Sequence, residues 1–108
     1  MKIYIAGPMR GYPEYNFPAF EEAENRLQIL GHEVKSPHRM DLEIGFDPRQ
    51  DAWTQEDSYK AIRRDVEAII WCDVVVMLPG WDRSVGARAE HGIGQWAGKT
   101  ILPYEHFT

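Results

Sequence analysis

Apolar positions along this chain recur with two different periods, and the switches between them mark out a succession of strands and helices. Lys2-Ile3-Tyr4-Ile5-Ala6 is a β-rich run that stops at the turn signal Gly7-Pro8. It reads as a first strand, with Gly7 to Tyr15 as a long loop at its C-terminal end. Phe17, Phe20, Ala23, Leu27 and Leu30 then recur at helical spacing, with Glu21, Glu22, Glu24 and Arg26 expected to face water. Asn16 is the expected N-cap, Pro18 suits a first helical turn, and Gly31 closes the helix as its C′ residue. His32-Glu33-Val34-Lys35-Ser36 reads as a short second strand stopped by Pro37. Residues Pro37 to Trp53 are the least regular part, a loop whose length points to function or mobility. Thr54 and Asp57 form an acidic variant of the capping box. The helix they open puts Tyr59, Ile62, Val66 and Ile69 on one face and ends near Trp71. A third strand (Asp73 to Leu78), a loop, a helix from about Gly86 to Ala97, the stop Gly98 and a last strand Thr100-Ile101-Leu102 complete the chain.

A βαβαβαβ order with short strands predicts an α/β fold, a parallel sheet covered by helices on both faces. The simplest solution with right-handed crossovers is a small flavodoxin/Rossmann-like three-layer sandwich of four parallel strands in the order 2-1-3-4. Ligands of such sheets bind beyond the strand C-termini, at the switch point between strands 1 and 3. The two glycine-bearing loops, Gly7 to Gly11 and Pro79 to Gly86, are therefore expected to meet at one crevice.

The length of 108 residues suits one domain with a modest core. A net charge of -5 argues against groove binding of duplex nucleic acid, which needs a concentrated basic face. The lone Cys72 cannot form an internal disulfide and fits a reducing cytoplasm. No apolar run approaches the roughly 18 residues of a membrane span, and Met1-Lys2-Ile3 opens a strand rather than a signal peptide. A soluble cytoplasmic domain is expected.

The stretch Leu78 to Gly92 carries the first chemical signal. A strand that empties into a Gly/Ser loop and a helix start presents free N–H groups and a positive dipole end to an anion. Glu90 lies in that helix's second turn, among Gly86, Ala87, Ala89, Gly92 and Gly94. The small residues serve either tight helix–sheet packing or ligand access to the carboxylate. Asp65 falls on the apolar stripe of the preceding helix, three after Ile62 and four before Ile69, where a carboxylate needs a donor, a raised pKa or a cleft. Two carboxylates at one crevice suit glycosidic chemistry. Tyr4 alone reads as core packing. Arg10, in Met9-Arg10-Gly11, has the fork geometry for phosphate, although surface arginines are commonly only solvated. Trp53 and Trp81 sit in loops, where an aromatic stacks on a base or covers the core. His91 follows Glu90 directly and does not share its face, and His38 reads as an exposed loop histidine. No residues have metal-ligand spacing, so no metal or other cofactor is expected, and the absence of GxGxxG and Walker loops sets aside dehydrogenase and kinase readings.

Taken together, Tyr4-Ile5-Ala6-Gly7-Pro8-Met9-Arg10-Gly11, Asp65 ahead of Asp73-Val74-Val75-Val76, and Ser84-x-Gly86-x-x-x-Glu90 resemble the nucleoside 2-deoxyribosyltransferase-like superfamily over the whole chain. Within it the chain looks most like DUF4406, a short and mainly phage and bacterial family. The resemblance implies cleavage of the N-glycosidic bond of deoxynucleosides or their 5′-monophosphates. Glu90 matches the glutamate that attacks C1′, Asp65 the acid that assists base departure, and Tyr4 the tyrosine that positions glutamate and sugar. Transferases of the group tend to carry Asp where this chain has Ser84. The 5′-monophosphate N-hydrolases carry Ser there, with a loop like Met9-Arg10-Gly11, both used on the phosphate. Pro8 replaces the hydrolases' Ser, and Trp81-Asp82-Arg83 is not theirs. The resemblance thus implies hydrolysis of a (deoxy)nucleoside monophosphate, with Gly7, Met9, Arg10, Gly11, Ser84 and Gly86 around the phosphate. Transfer between bases and non-catalytic nucleotide binding are the alternatives. A homodimer or larger assembly, with a neighbour helping to close the site, is implied as well.

Overall fold

Successive residues of β1 (Lys2–Ala6) point to opposite faces of the sheet, and both faces are apolar. Ile3 and Ile5 join Val74 and Val76 of β3 (Val74–Met77) against Phe20, Ala23 and Leu27 of α1 (Phe17–Ile29). Tyr4 and Ala6 join Val75 and Met77 on the other face, against Ala68, Ile69 and Cys72 at the end of α3 (Gln55–Trp71). The computed structural model describes residues 1–108. Its sheet has the order β2-β1-β3-β4 and is parallel throughout, with β2 at Glu33–Lys35 and β4 at Thr100–Pro103. The expected architecture is the one observed. Ile3 pairs with Val74 and Ala6 with Met77, so the two central strands end level with each other. No helix is long and apolar enough to cross a membrane.

The two glycine loops meet where the strand order predicts. A Cβ on Gly7 would sit 2.7 Å from Leu78 Cβ, too close for any side chain. Gly80 takes a left-handed φ of 87° and lies against Tyr12, so the loop after β3 packs on the loop after β1.

Several local expectations are corrected. Pro37 opens a helix instead of ending a strand alone: α2 (Pro37–Glu43) occupies the first part of the segment expected to be irregular. Proline's fixed φ suits N1 of a helix as well as a stop. Asn16 is not a side-chain N-cap. It has φ 61°, the last of three left-handed residues, and its amide donates to Pro8 O at 2.9 Å, tying the loop to α1. Leu30 is exposed, while Glu24, expected in water, is buried and accepts from Ser36 Oγ (3.2 Å) and Arg39 Nε (3.1 Å). His38 is buried too, with Nδ1 2.7 Å from Ser36 Oγ, and burial pushes its pKa down to about 4.

Tyr59 and Ile62 of α3 are also exposed, where the helical stripe predicted burial. Lengths explain this. The 17 residues of α3 span about 25 Å, whereas a four-residue strand spans about 13 Å. Only one end of α3 can lie on the sheet. That end holds Ala68 and Ile69; the other projects past the strand C-termini and carries Arg64 and Asp65 to the loops.

Candidate active site

Tyr4 reaches the site from beneath, fully buried in β1, and its hydroxyl donates to Glu90 Oε2 at 2.6 Å. Glu90 stands in the second turn of α4 (Val85–Trp96), a helix capped by Ser84, whose Oγ accepts from Ala87 N at 3.2 Å. The small residues of α4 divide between the two roles open to them. Gly94 packs against Val75 and Ile101, while a Cβ on Gly86 or Gly92 would meet nothing within 4 Å.

Asp65 is held by its sequence neighbour. Arg64 Nε and Nη2 both donate to Asp65 Oδ1, at 3.1 and 2.9 Å, while Nη1 donates to Asp41 Oδ1 of α2 at 2.6 Å. Adjacent helical residues do not normally share a face; the long guanidinium folds back to do so here. Asp41 is 3% exposed. The site is thus a chain of charges spanning α2, α3 and α4, with Tyr4 below it.

Burial is the largest influence on each acid. It pushes Glu90 well above the ordinary carboxylate range, and the Asp65 charge pushes it further, against the Tyr4 hydrogen bond. Burial also raises Asp65, against Arg64. It raises Tyr4, helped by the Glu90 and Asp65 charges, so the phenol stays a donor. Two carboxyls so placed do not ionise together in the usual range, and they titrate as a pair.

A cavity of about 530 Å³ opens beside this chain, with Met9, Arg10, Gly11, Trp53 and Asp65 on its wall together with Asp41 and Arg64. Trp53 packs its ring 4.8 Å from Phe46. Tyr4, Gly7, Ser84, Gly86 and Glu90 are not on that wall. Glu90 meets the cavity's residues through its interaction with Asp65. Trp81 is also off the wall, stacked on His91 at 4.4 Å and 12°. No three His, Cys, Asp or Glu side chains converge as a metal-ligand set. Arg64 and Asp41 escaped the sequence reading. An arginine beside an inward aspartate is a usable signal for the first; the second had none until α2 was known.

Replacing Tyr4 by Phe removes the 2.6 Å bond and leaves the packing. The expected result is a fall in kcat of about 10- to 100-fold with KM little changed, read from steady-state kinetics. An unchanged kcat would reduce Tyr4 to core packing.

The chain is an α/β domain of the nucleoside 2-deoxyribosyltransferase-like superfamily. The chain belongs to the family described as Domain of unknown function (DUF4406), whose sequence profile matches residues 1–103. Among solved structures it is similar to a 2-deoxyribosyltransferase from the psychrotolerant bacterium Bacillus psychrosaccharolyticus. The identity is 28% and the TM-score 0.74, over 95% of this chain and 71% of that one. Two others share the fold. The CMP N-glycosidase BcmB of Clostridium botulinum is 22% identical with a TM-score of 0.60, over 95% of this chain and 70% of that one. A 2-deoxyribosyltransferase from Leishmania mexicana is 20% identical with a TM-score of 0.64, over 94% and 61%. No curated protein matches the chain in sequence.

Proposed function

We propose that this protein is an N-glycosidase that releases the base from a (deoxy)nucleoside 5′-monophosphate. The observation that carries the reading is the Tyr4–Glu90 bond beside an Asp65 whose second oxygen is left free by Arg64. A Glu90 oxygen attacks C1′ of the sugar. The C1′–N bond breaks, its electron pair stays on the base nitrogen, and Asp65 supplies the proton that neutralises it. Water then attacks C1′, giving a proton to Asp65 and freeing Glu90, so the configuration at C1′ is retained. Gly7, Met9, Arg10, Gly11, Ser84 and Gly86 surround the phosphate, with Arg10 as the forked cation and the Ser84 hydroxyl, still able to donate, at the start of α4. Trp53 stacks on the base from the cavity wall, a role that Trp81 shares only if it leaves His91. The protein works without a cofactor.

Transfer to a second base uses the same glycosyl–Glu90 intermediate, with a base in place of water. The 28% identity to a 2-deoxyribosyltransferase favours it as the second reading.

Incubation with the four deoxynucleoside monophosphates and their nucleosides, with chromatography for free base, tests both. Base is expected from at least one monophosphate. Ser84→Asp is expected to lower that cleavage about tenfold or more relative to the nucleoside, since a carboxylate repels phosphate. Release from nucleosides alone, indifferent to Ser84→Asp, would establish transferase-type chemistry instead.

A further inference from the structure

We propose that Asp41 reads the base, so that the cavity selects nucleotides whose base carries an exocyclic amine over those with an oxo group at that position. The nature of the ligand rests on the glycosidase reading; the selectivity rests on the cavity. Asp41 lies in α2, 3% exposed, yet forms part of the cavity wall with Asp65, Trp53 and Arg10. Its Oδ1 is taken by Arg64 at 2.6 Å. Its Oδ2 has no hydrogen bond within the protein and is not fully sealed from solvent.

A carboxylate paired with guanidinium only accepts hydrogen bonds. Burial raises the Asp41 pKa, and the Arg64 bond and charge oppose that rise. The oxygen left over therefore asks for an N–H donor. An exocyclic amine supplies one, as in the pairing of Asp or Glu with the cytosine amine. An oxo group at that position presents lone pairs to the same oxygen, and the neighbouring ring N–H of uracil or hypoxanthine meets it only if the base shifts by one atom along its edge. Arg64 directs three of its five N–H groups at Asp41 and Asp65. Trp53, backed by Phe46, supplies the aromatic surface against which a base plane is set. Arg10 is the one cation of the wall without a carboxylate partner in the protein, which leaves it for the phosphate.

Two matched pairs test this, dCMP against dUMP and dAMP against dIMP. Dissociation constants are measured by calorimetry on Glu90→Gln, which cannot turn over, and kcat/KM on the wild type. The amine member of at least one pair is expected to bind about tenfold tighter or more, the range of a single good polar contact to a base edge. Equal binding within each pair, preference for the oxo member, or no binding of any of the four at millimolar concentration would overturn the proposal. Amine-selective binding without base release would sink the glycosidase reading and leave this inference standing. Equal release from all four would do the reverse. Asp41→Asn adds a carboxamide donor and is expected to erode the preference at least threefold; if that variant does not fold, the wild-type and Glu90→Gln comparisons decide.

Discussion

Glu90→Gln is expected to lower base release by about 10³-fold or more, because Glu90 is the proposed nucleophile at C1′. The same variant is expected to be more stable than the wild type. Gln keeps an oxygen for the Tyr4 hydroxyl, which now donates to Glu90 Oε2 at 2.6 Å, and removes a buried charge facing Asp65. The sign of the pH effect follows. Glu90 binds its proton more tightly folded than unfolded, so this group's contribution is fully present below the unfolded value near 4 and is lost as pH rises through the raised folded value. The gain from Gln should therefore be small at pH 4 and reach roughly 1–3 kcal/mol near neutrality. Thermal unfolding across that range checks it. Wild-type activity should be bell-shaped in pH, since the pair must share one proton. Burial and the Asp65 charge favour that proton on Glu90, so the productive form, with Asp65 protonated and Glu90 ionised, is the minor one. Its alkaline limb should lie well above the ordinary carboxylate range, displaced by the burial of both acids. Undiminished base release from Glu90→Gln would remove Glu90 from the chemistry, whatever the stability result.

Arg64→Met is expected to cost about 3–5 kcal/mol of stability, the effect of removing one partner from a buried ion pair. Its guanidinium is the only hydrogen-bonding partner of the Asp41 carboxylate and one of the groups that hold Asp65. Without it, Asp41 must either stay charged with no cation beside it or take up a proton. The loss should shrink on acidification, and Asp41→Asn in the same chain should recover a good part of it, giving a coupling energy of about 1–3 kcal/mol between the two sites. Urea denaturation of the two single variants and the double variant measures this. A loss below about 1 kcal/mol, typical of an exposed pair, would show that the cluster is solvated and that Asp41 is free to move.

These two results concern residues at opposite ends of what the sequence discloses. Glu90 was legible because it is a charged residue set among small ones on a helix that follows a glycine-bearing loop. Arg64 was not, because its importance comes from Asp41, 23 positions away on another helix. Glu24 was assigned to water for the same reason, and only Ser36 and Arg39 make its burial tolerable. A charge is buried or exposed according to the partner it finds, and the partner lies on another element.

What the sequence determined by itself is the order of the strands and of three of the four α-helices, the parallel sheet and the edge of it expected to hold the site. Those follow from local periodicity, turn residues and the handedness of crossovers, which act over neighbouring residues. Tertiary structure decided how far each element extends over its neighbours. Because α3 is longer than the strands it covers, it is core at Ala68 and Ile69, cavity wall at Ala61, Arg64 and Asp65, and exposed at Tyr59 and Ile62. That overhang brings Asp65 and Arg64 to Asp41, and Asp65 to Glu90, a juxtaposition no stretch of the chain contains alone.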